Sequence, residues 1–126
     1  MGCRYYRHVR VHDDERQILP LEECTQWLID IISDDAIVLV HCEAGISRSA
    51  SFVLHFLMTV LKISYDVAFA KLAIIRPCID PNAGFKRQLH QHSDKMLQSR
   101  LRVAIDELER GSALLAFLED DVSRLD

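Results

Sequence analysis

Ala36-Ile37-Val38-Leu39-Val40-His41-Cys42-Glu43-Ala44-Gly45-Ile46-Ser47-Arg48-Ser49 is the stretch on which the fold of this 126-residue chain turns. It opens on an apolar run of strand length, and a long helical pattern follows Ser49. The pattern predicts a buried strand at 36–40, a tight loop at 42–48 and a helix beyond it. Such a junction is an anion site. The first N–H groups of a helix lack carbonyl partners, and the helix dipole is positive there. The five residues between Cys42 and Arg48 suffice to curl the backbone around one phosphoryl group as a nest of donors. Glu43, Ala44, Gly45, Ile46 and Ser47 supply those amides, and Gly45 tolerates the positive φ that the bend demands. Arg48 adds a planar fork that matches two phosphate oxygens.

The same field acts on Cys42. A thiol at a helix N-terminus beside a cation falls from about 8.5 into a range of roughly 3.5–7.5, so the attacking thiolate is present at neutral pH. His41 is expected to order the loop through local hydrogen bonds. Ser49 is expected to donate to the sulfur when it becomes the leaving group. The commoner fate of a lone cysteine is to be a small buried hydrophobe. A glycine and an arginine in register behind a buried strand outweigh that reading here.

These residues resemble a known signature. Histidine, cysteine, five residues, arginine and serine is similar to the catalytic loop of the cysteine-based protein phosphatases, and Val38 through Ser49 resembles the dual-specificity branch. So do Ala73-Ile74-Ile75-Arg76-Pro77 and Pro81-Asn82-Ala83-Gly84-Phe85-Lys86-Arg87-Gln88-Leu89, and the likeness covers roughly residues 5–97. The resemblance implies an α/β fold with a small, mostly parallel central sheet flanked by helices. It implies hydrolysis of phosphotyrosine, phosphoserine and phosphothreonine through a cysteinyl-phosphate, with no cofactor and no metal. Glu43, Ala44 and Ile46 stand where phosphoinositide phosphatases of the superfamily tend to carry lysines, so a phosphoprotein substrate is expected.

Attack by thiolate leaves an alkoxide or phenoxide that needs a proton, and a carboxylic acid on a loop supplies it. Asp13 and Asp14 follow the strand-like segment at 5–11, in which Val9 and Val11 share a face. The residues alone leave both open, and both also suit a plain turn. The resemblance implies Asp13, two residues after Val11. It also implies that Asn82 braces the phosphate loop, although Asn82 is equally a helix cap.

Working outward, residues 21–32 carry a helical stripe at 21, 24, 28, 31 and 32, and residues 49–62 are apolar nearly all round, as suits a central helix. Ser64 reads as the N-cap of a helix carrying Val67, Leu72 and Ile75. A helical pattern runs from 84 to about 110 with a stripe at Leu97, Leu101, Ala104 and Leu108. Gly111 interrupts it before Leu114, Leu115, Leu118, Val122 and Leu125. Residues 1–97 are therefore read as the catalytic domain and 98–126 as an amphipathic helical extension that packs back, meets a partner or self-associates.

Composition sets the bounds. The length allows one domain, and 49% apolar residues allow a core. No apolar run has transmembrane length. A net charge of −4 argues against a nucleic-acid surface. Four cysteines without paired spacing suit a reduced cytoplasmic or nuclear compartment. His90 and His92 lie two apart on a helix, facing different ways, which is poor metal geometry. Met1-Gly2-Cys3 is a weak lipidation signal, because Tyr6 stands where serine or threonine is wanted.

One feature departs from the family pattern. Its catalytic domains carry about 35–45 further residues at the start (compare ordinary domain sizes), including strands that flank the one before the loop. Either 5–11 pairs directly with 36–40, or the C-terminal helices cover the gap, or the domain is N-terminally shortened, the favoured reading. A damaged sheet keeps a second function in play: an inactive module that binds phosphorylated partners. A sulfur-transfer enzyme also uses a cysteine loop but needs neither Arg48 nor an upstream aspartate, and ranks far behind.

Overall fold

The computed structural model describes residues 4–110. Four helices follow one another: α1 (Leu21–Ile32), α2 (Arg48–Leu61), α3 (Tyr65–Ile75) and α4 (Ala83–Glu109). The chain divides into two units, residues 1–93 and 94–126.

In the first unit α2 is the centre and packs against both α1 and α3. α1 buries Leu21, Cys24, Thr25, Leu28 and Ile31, the three-and-four spacing that turns one helical face inward. Glu22 and Glu23 sit in its first turn, where acidic groups suit the dipole. α2 buries Phe52, Leu54, His55 and Met58 among others. It ends on Lys62 in a left-handed conformation at φ 55°. Ser64 caps α3 by accepting the Val67 N–H, as its position predicts. The face of α3 differs from expectation: Tyr65 and Ala68 are buried, while Val67 and Ile75 are exposed. The first turns of α4 drive Phe85 and Leu89 into the same cluster as Leu54, Met58 and Tyr65. Each such side chain, fully buried, contributes about 1.5–3 kcal/mol. Behind the core, His55 Nδ1 meets Thr25 Oγ1, and the His55 ring lies 4.1 Å from that of His92.

The expected sheet is not there. Among the described residues no strand forms at 5–11 or 36–40, which overturns the α/β expectation of a small central, mostly parallel sheet. Both segments do run with a two-residue alternation. Ile37 and Leu39 face solvent at 102% and 82% exposure, while Ala36, Val38 and Val40 are half-buried. A strand, however, is defined by its ladder, and no backbone hydrogen bond joins the two segments. A cavity of about 590 Å³, lined by residues 4–9 and 34–41, lies between them, and a second of about 350 Å³ runs from Leu39 and Val40 toward Leu72, Arg76 and Ile79. Direct pairing of 5–11 with 36–40 is therefore excluded.

In the second unit the described residues, 94–110, are the continuation and end of α4. Leu97, Leu101, Val103, Ile105 and Leu108 are all exposed there. The stripe from Leu114 to Leu125, Gly111 and Met1-Gly2-Cys3 lie outside the described residues.

Candidate active site

The loop between residue 41 and α2 has the geometry that the sequence predicts for an anion nest. Gly45 bends it at φ +67° and sends its N–H to Cys42 Sγ at 3.2 Å. Ser49, in the first turn of α2, places its hydroxyl 3.2 Å from the same sulfur. Partial burial pushes the Cys42 thiol up. Hydrogen bonds from the Ser49 hydroxyl and from the backbone N–H groups of Ser49, Gly45 and Ala44 outweigh it, and the net pKa falls to about 7. A substantial thiolate fraction at neutral pH follows, from donors that will equally serve a phosphoryl oxygen.

Outside the loop, three carbonyls are held away from the sulfur. Arg76 Nε donates to Gly45 O at 2.8 Å and its Nη2 to Ala44 O at 3.1 Å, while the Asp80 N–H donates to Ile46 O at 2.8 Å. In a trans peptide the N–H points opposite to the carbonyl. Three carbonyls turned outward therefore turn the amides of Gly45, Ile46 and Ser47 inward, which makes the nest. Ser47, buried, is fixed twice: its hydroxyl accepts the Asn82 N–H at 2.9 Å, and its carbonyl accepts the Ser51 hydroxyl at 2.7 Å. Sequence reasoning assigned Arg76 no role. Its signals were its place in the family-like stretch from Ala73 to Pro77 and its position just before Pro77, where a helix must stop.

Arg48 leads α2, and its half-buried side chain reaches two ways. Nη1 donates to Val11 O at 3.4 Å, and Nη2 lies 3.7 Å from Glu43 Oε2. The first contact ties the loop to the end of the segment that precedes the acid candidates. The second is with a carboxylate that is 91% exposed, a surface pair worth little and readily exchanged for phosphate oxygens.

The two aspartates have separate fates. Asp14 folds back on its own turn: its carboxylate accepts the Arg16 N–H at 2.7 Å and pairs with the Arg16 guanidinium at 3.2 Å. Those bonds from Arg16 lower its pKa, the wrong direction for a proton donor. Asp13 Oδ1 instead accepts from Asn82 Nδ2 at 2.9 Å. Asn82 Oδ1 in turn accepts the Phe85 N–H at 2.9 Å, so Asn82 caps α4 and holds Asp13 while its own N–H braces Ser47. His41 is exposed and makes no hydrogen bond among the described residues, so the ordering expected of it falls instead to Arg76 and Asn82.

Cys42 under inward-turned amides, Arg48 at the helix start and Asp13 tied through Asn82 to Ser47 make up the candidate site. The profile of the dual specificity phosphatase catalytic domain matches residues 2–95, and the chain belongs to that family. It is similar to dual specificity protein phosphatase 22-B of Danio rerio, 45% identical over 60 residues, or 48% of this chain and 33% of that one. Among solved structures it is similar to human DUSP28, with a TM-score of 0.67 at 30% identity over 71% of this chain and 64% of that one. It is similar also to the human tyrosine phosphatase-like serine/threonine/tyrosine-interacting protein, with a TM-score of 0.66 at 34% identity over 69% and 59%. The chain thus spans a third of the zebrafish relative and less than two thirds of each solved chain.

Proposed function

We propose that this chain is a protein phosphatase acting on phosphotyrosine and on phosphoserine or phosphothreonine. The Cys42 thiolate attacks phosphorus, and the bond to the leaving oxygen breaks as the Sγ–P bond forms. Asp13 gives its proton to the departing oxygen. Water, deprotonated by the resulting carboxylate, then attacks the cysteinyl-phosphate and releases Cys42 and inorganic phosphate, with Ser49 donating to the leaving sulfur. The nest amides and Arg48 meet the charge on the equatorial oxygens, the main form of stabilisation for a loose phosphoryl transfer. The observation that carries this reading is Cys42 Sγ bonded by Gly45 N–H and Ser49 Oγ while Arg76 and Asp80 hold the loop carbonyls outward. Glu43, Ala44 and Ile46 add no cation for further phosphates, which favours phosphoprotein over phosphoinositide.

A second reading is favoured by one observation: among the described residues, nothing pairs with the segment at 36–40 directly before the nucleophile. A loop whose supporting strand has no ladder suits a phospho-binding module that turns over little or nothing. One experiment separates the two. The purified chain and Cys42→Ser are compared for hydrolysis of an aryl phosphate and for binding of a phosphopeptide. Turnover abolished by Cys42→Ser supports the enzyme, whereas binding without turnover in the unsubstituted chain refutes it.

A further inference from the structure

Asp13 is exposed, and its main chain makes no hydrogen bond among the described residues. Asn82 holds one of its carboxylate oxygens, Oδ1. A single bond to the tip of a side chain leaves the backbone behind it unfixed. That backbone is set from the residue on either side, and both lead to Gln17. On one side Gln17 Oε1 accepts the His12 N–H at 3.1 Å. On the other the Gln17 N–H donates to Asp14 O at 2.9 Å. Asp13 lies between these two anchored positions. The bonds between Asp14 and Arg16 stay within the turn and tie it to nothing else.

Gln17 is itself tied to the core. Gln88 Nε2 donates to Gln17 O at 2.9 Å, and Gln88 Oε1 accepts the Leu19 N–H at 2.9 Å. One side-chain amide thus holds an acceptor and a donor of the same short run of chain. Leu19 is buried, and Gln88 stands beside the fully buried Leu89 on α4. Gly84 O, one turn back on α4, offers Gln88 Nε2 a second acceptor at 3.3 Å. Side-chain chemistry matters at residue 17 as well. Its Oε1 accepts while its Nε2 donates to Ile18 O at 2.9 Å. A glutamate there keeps the acceptor, whereas a methionine keeps the length and loses both functions. Among the described residues neither glutamine bonds to the loop of Cys42.

We propose that Gln17 is a positioning residue for Asp13, the acid of the proposed reaction. It fixes the backbone on both sides of Asp13, and Gln88 ties it to α4, the same helix that Asn82 caps. The backbone and the carboxyl of Asp13 are therefore held in one frame. The proposal rests on the reading of Asp13 as the proton donor. The test is kcat and KM of the full chain and of Gln17→Met, Gln17→Glu, Asp13→Asn and the Asp13→Asn, Gln17→Met pair. Each is measured on a phosphopeptide and on an activated aryl phosphate. Gln17→Met is expected to lose about ten-fold in kcat on the phosphopeptide, the equivalent of one hydrogen bond. Its KM and its rate on the aryl phosphate should stay within about two-fold of the unsubstituted chain. Gln17→Glu, which keeps the acceptor for His12, should recover most of the loss. The double variant should be no slower than Asp13→Asn alone, because misplacing an acid costs nothing once the acid is gone. Equal losses on the two substrates, additive losses in the double variant, or a Gln17→Met chain that does not fold overturns the proposal. So does an unaffected Gln17→Met beside a phosphopeptide-selective loss in Asp13→Asn, which leaves the acid reading standing. No selective loss in Asp13→Asn removes the acid reading, and the proposal with it.

Discussion

Gly84→Ala isolates the placement of Asp13, the acid of the proposed reaction. Gly84 lies buried in the first turn of α4, against the backbone of Glu15 in the loop that carries Asp13 and Asp14. A methyl group at Gly84 would stand 1.9 Å from Glu15 O, 2.6 Å from its carbonyl carbon and 2.7 Å from its Cα. Ordinary contact begins at 3.4 Å, so the Glu15 backbone has to retreat by about 1.5 Å, the difference between 3.4 and 1.9 Å. One turn further along α4, Gln88 takes the Leu19 N–H at 2.9 Å and donates to Gln17 O at 2.9 Å. These bonds hold the far end of the loop, and the displacement is concentrated at residues 13–15. The Asp13–Asn82 bond at 2.9 Å cannot survive a shift of that size. Misplacement of a catalytic group by about 1 Å costs on the order of 100-fold. The expected result is a loss of about 100-fold in kcat on a phosphopeptide, whose leaving group needs the proton, and a small change on an activated aryl phosphate, whose leaving group does not. Overpacking should also lower stability by about 1–3 kcal/mol, which thermal unfolding measures separately. Equal losses on the two substrates, or none on either, would refute the assignment of the acid to this loop.

Alkylation of Cys42, followed by peptide mass spectrometry, should rise with pH through a midpoint near pH 7. Ser49→Ala should move that midpoint upward, since it removes a donor to the thiolate. Arg76→Met should free the carbonyls of Ala44 and Gly45 and weaken vanadate inhibition by about ten-fold, as expected for a lost charge-assisted bond at an exposed side chain. His55 bears on stability. Burial, and then the nearby His92, lowers its pKa from 6.5 to about 4 in the folded chain. The unfolded chain binds the proton first, so the His55 contribution is complete above pH 6.5 and is lost as pH falls from there toward 4. At about 1.36 kcal/mol per unit the loss reaches on the order of 3 kcal/mol. Urea titrations at pH 7 and pH 4.5 should show it, and His55→Asn should flatten the slope.

α1 was legible because its apolar residues recur on one face over three turns, and α2 because it is apolar nearly all round. The span of α1 and the position of Ser64 before α3 follow directly from apolar spacing and cap chemistry. The inward face of α3 was not legible, since Tyr65 and Ala68 compete with Val67, Leu72 and Ile75 for a core that only the packing of α2 and α4 defines. The segment at 36–40 has the composition and the alternation of a strand, but pairing is a property of two segments, and among the described residues none pairs with it. Within the site, Cys42, Gly45, Arg48 and Ser49 could be read from local spacing, because a loop at a helix start is local physics. Arg76 could not, for its bonds to Ala44 and Gly45 span more than thirty residues of chain. Nor could the separate partners of the two aspartates be read from the sequence: Arg16 holds Asp14 and Asn82 holds Asp13.

The central claim is that Cys42 is a nucleophile in a working loop. The direct measurement is acid quench of Asp13→Asn during turnover of an activated aryl phosphate, followed by mass analysis of the Cys42 peptide. With the base for hydrolysis removed, a phosphoryl adduct on Cys42 should accumulate, and Cys42→Ser should show neither adduct nor turnover. Steady turnover with Cys42 unmodified, or turnover that persists in Cys42→Ser, would contradict the account.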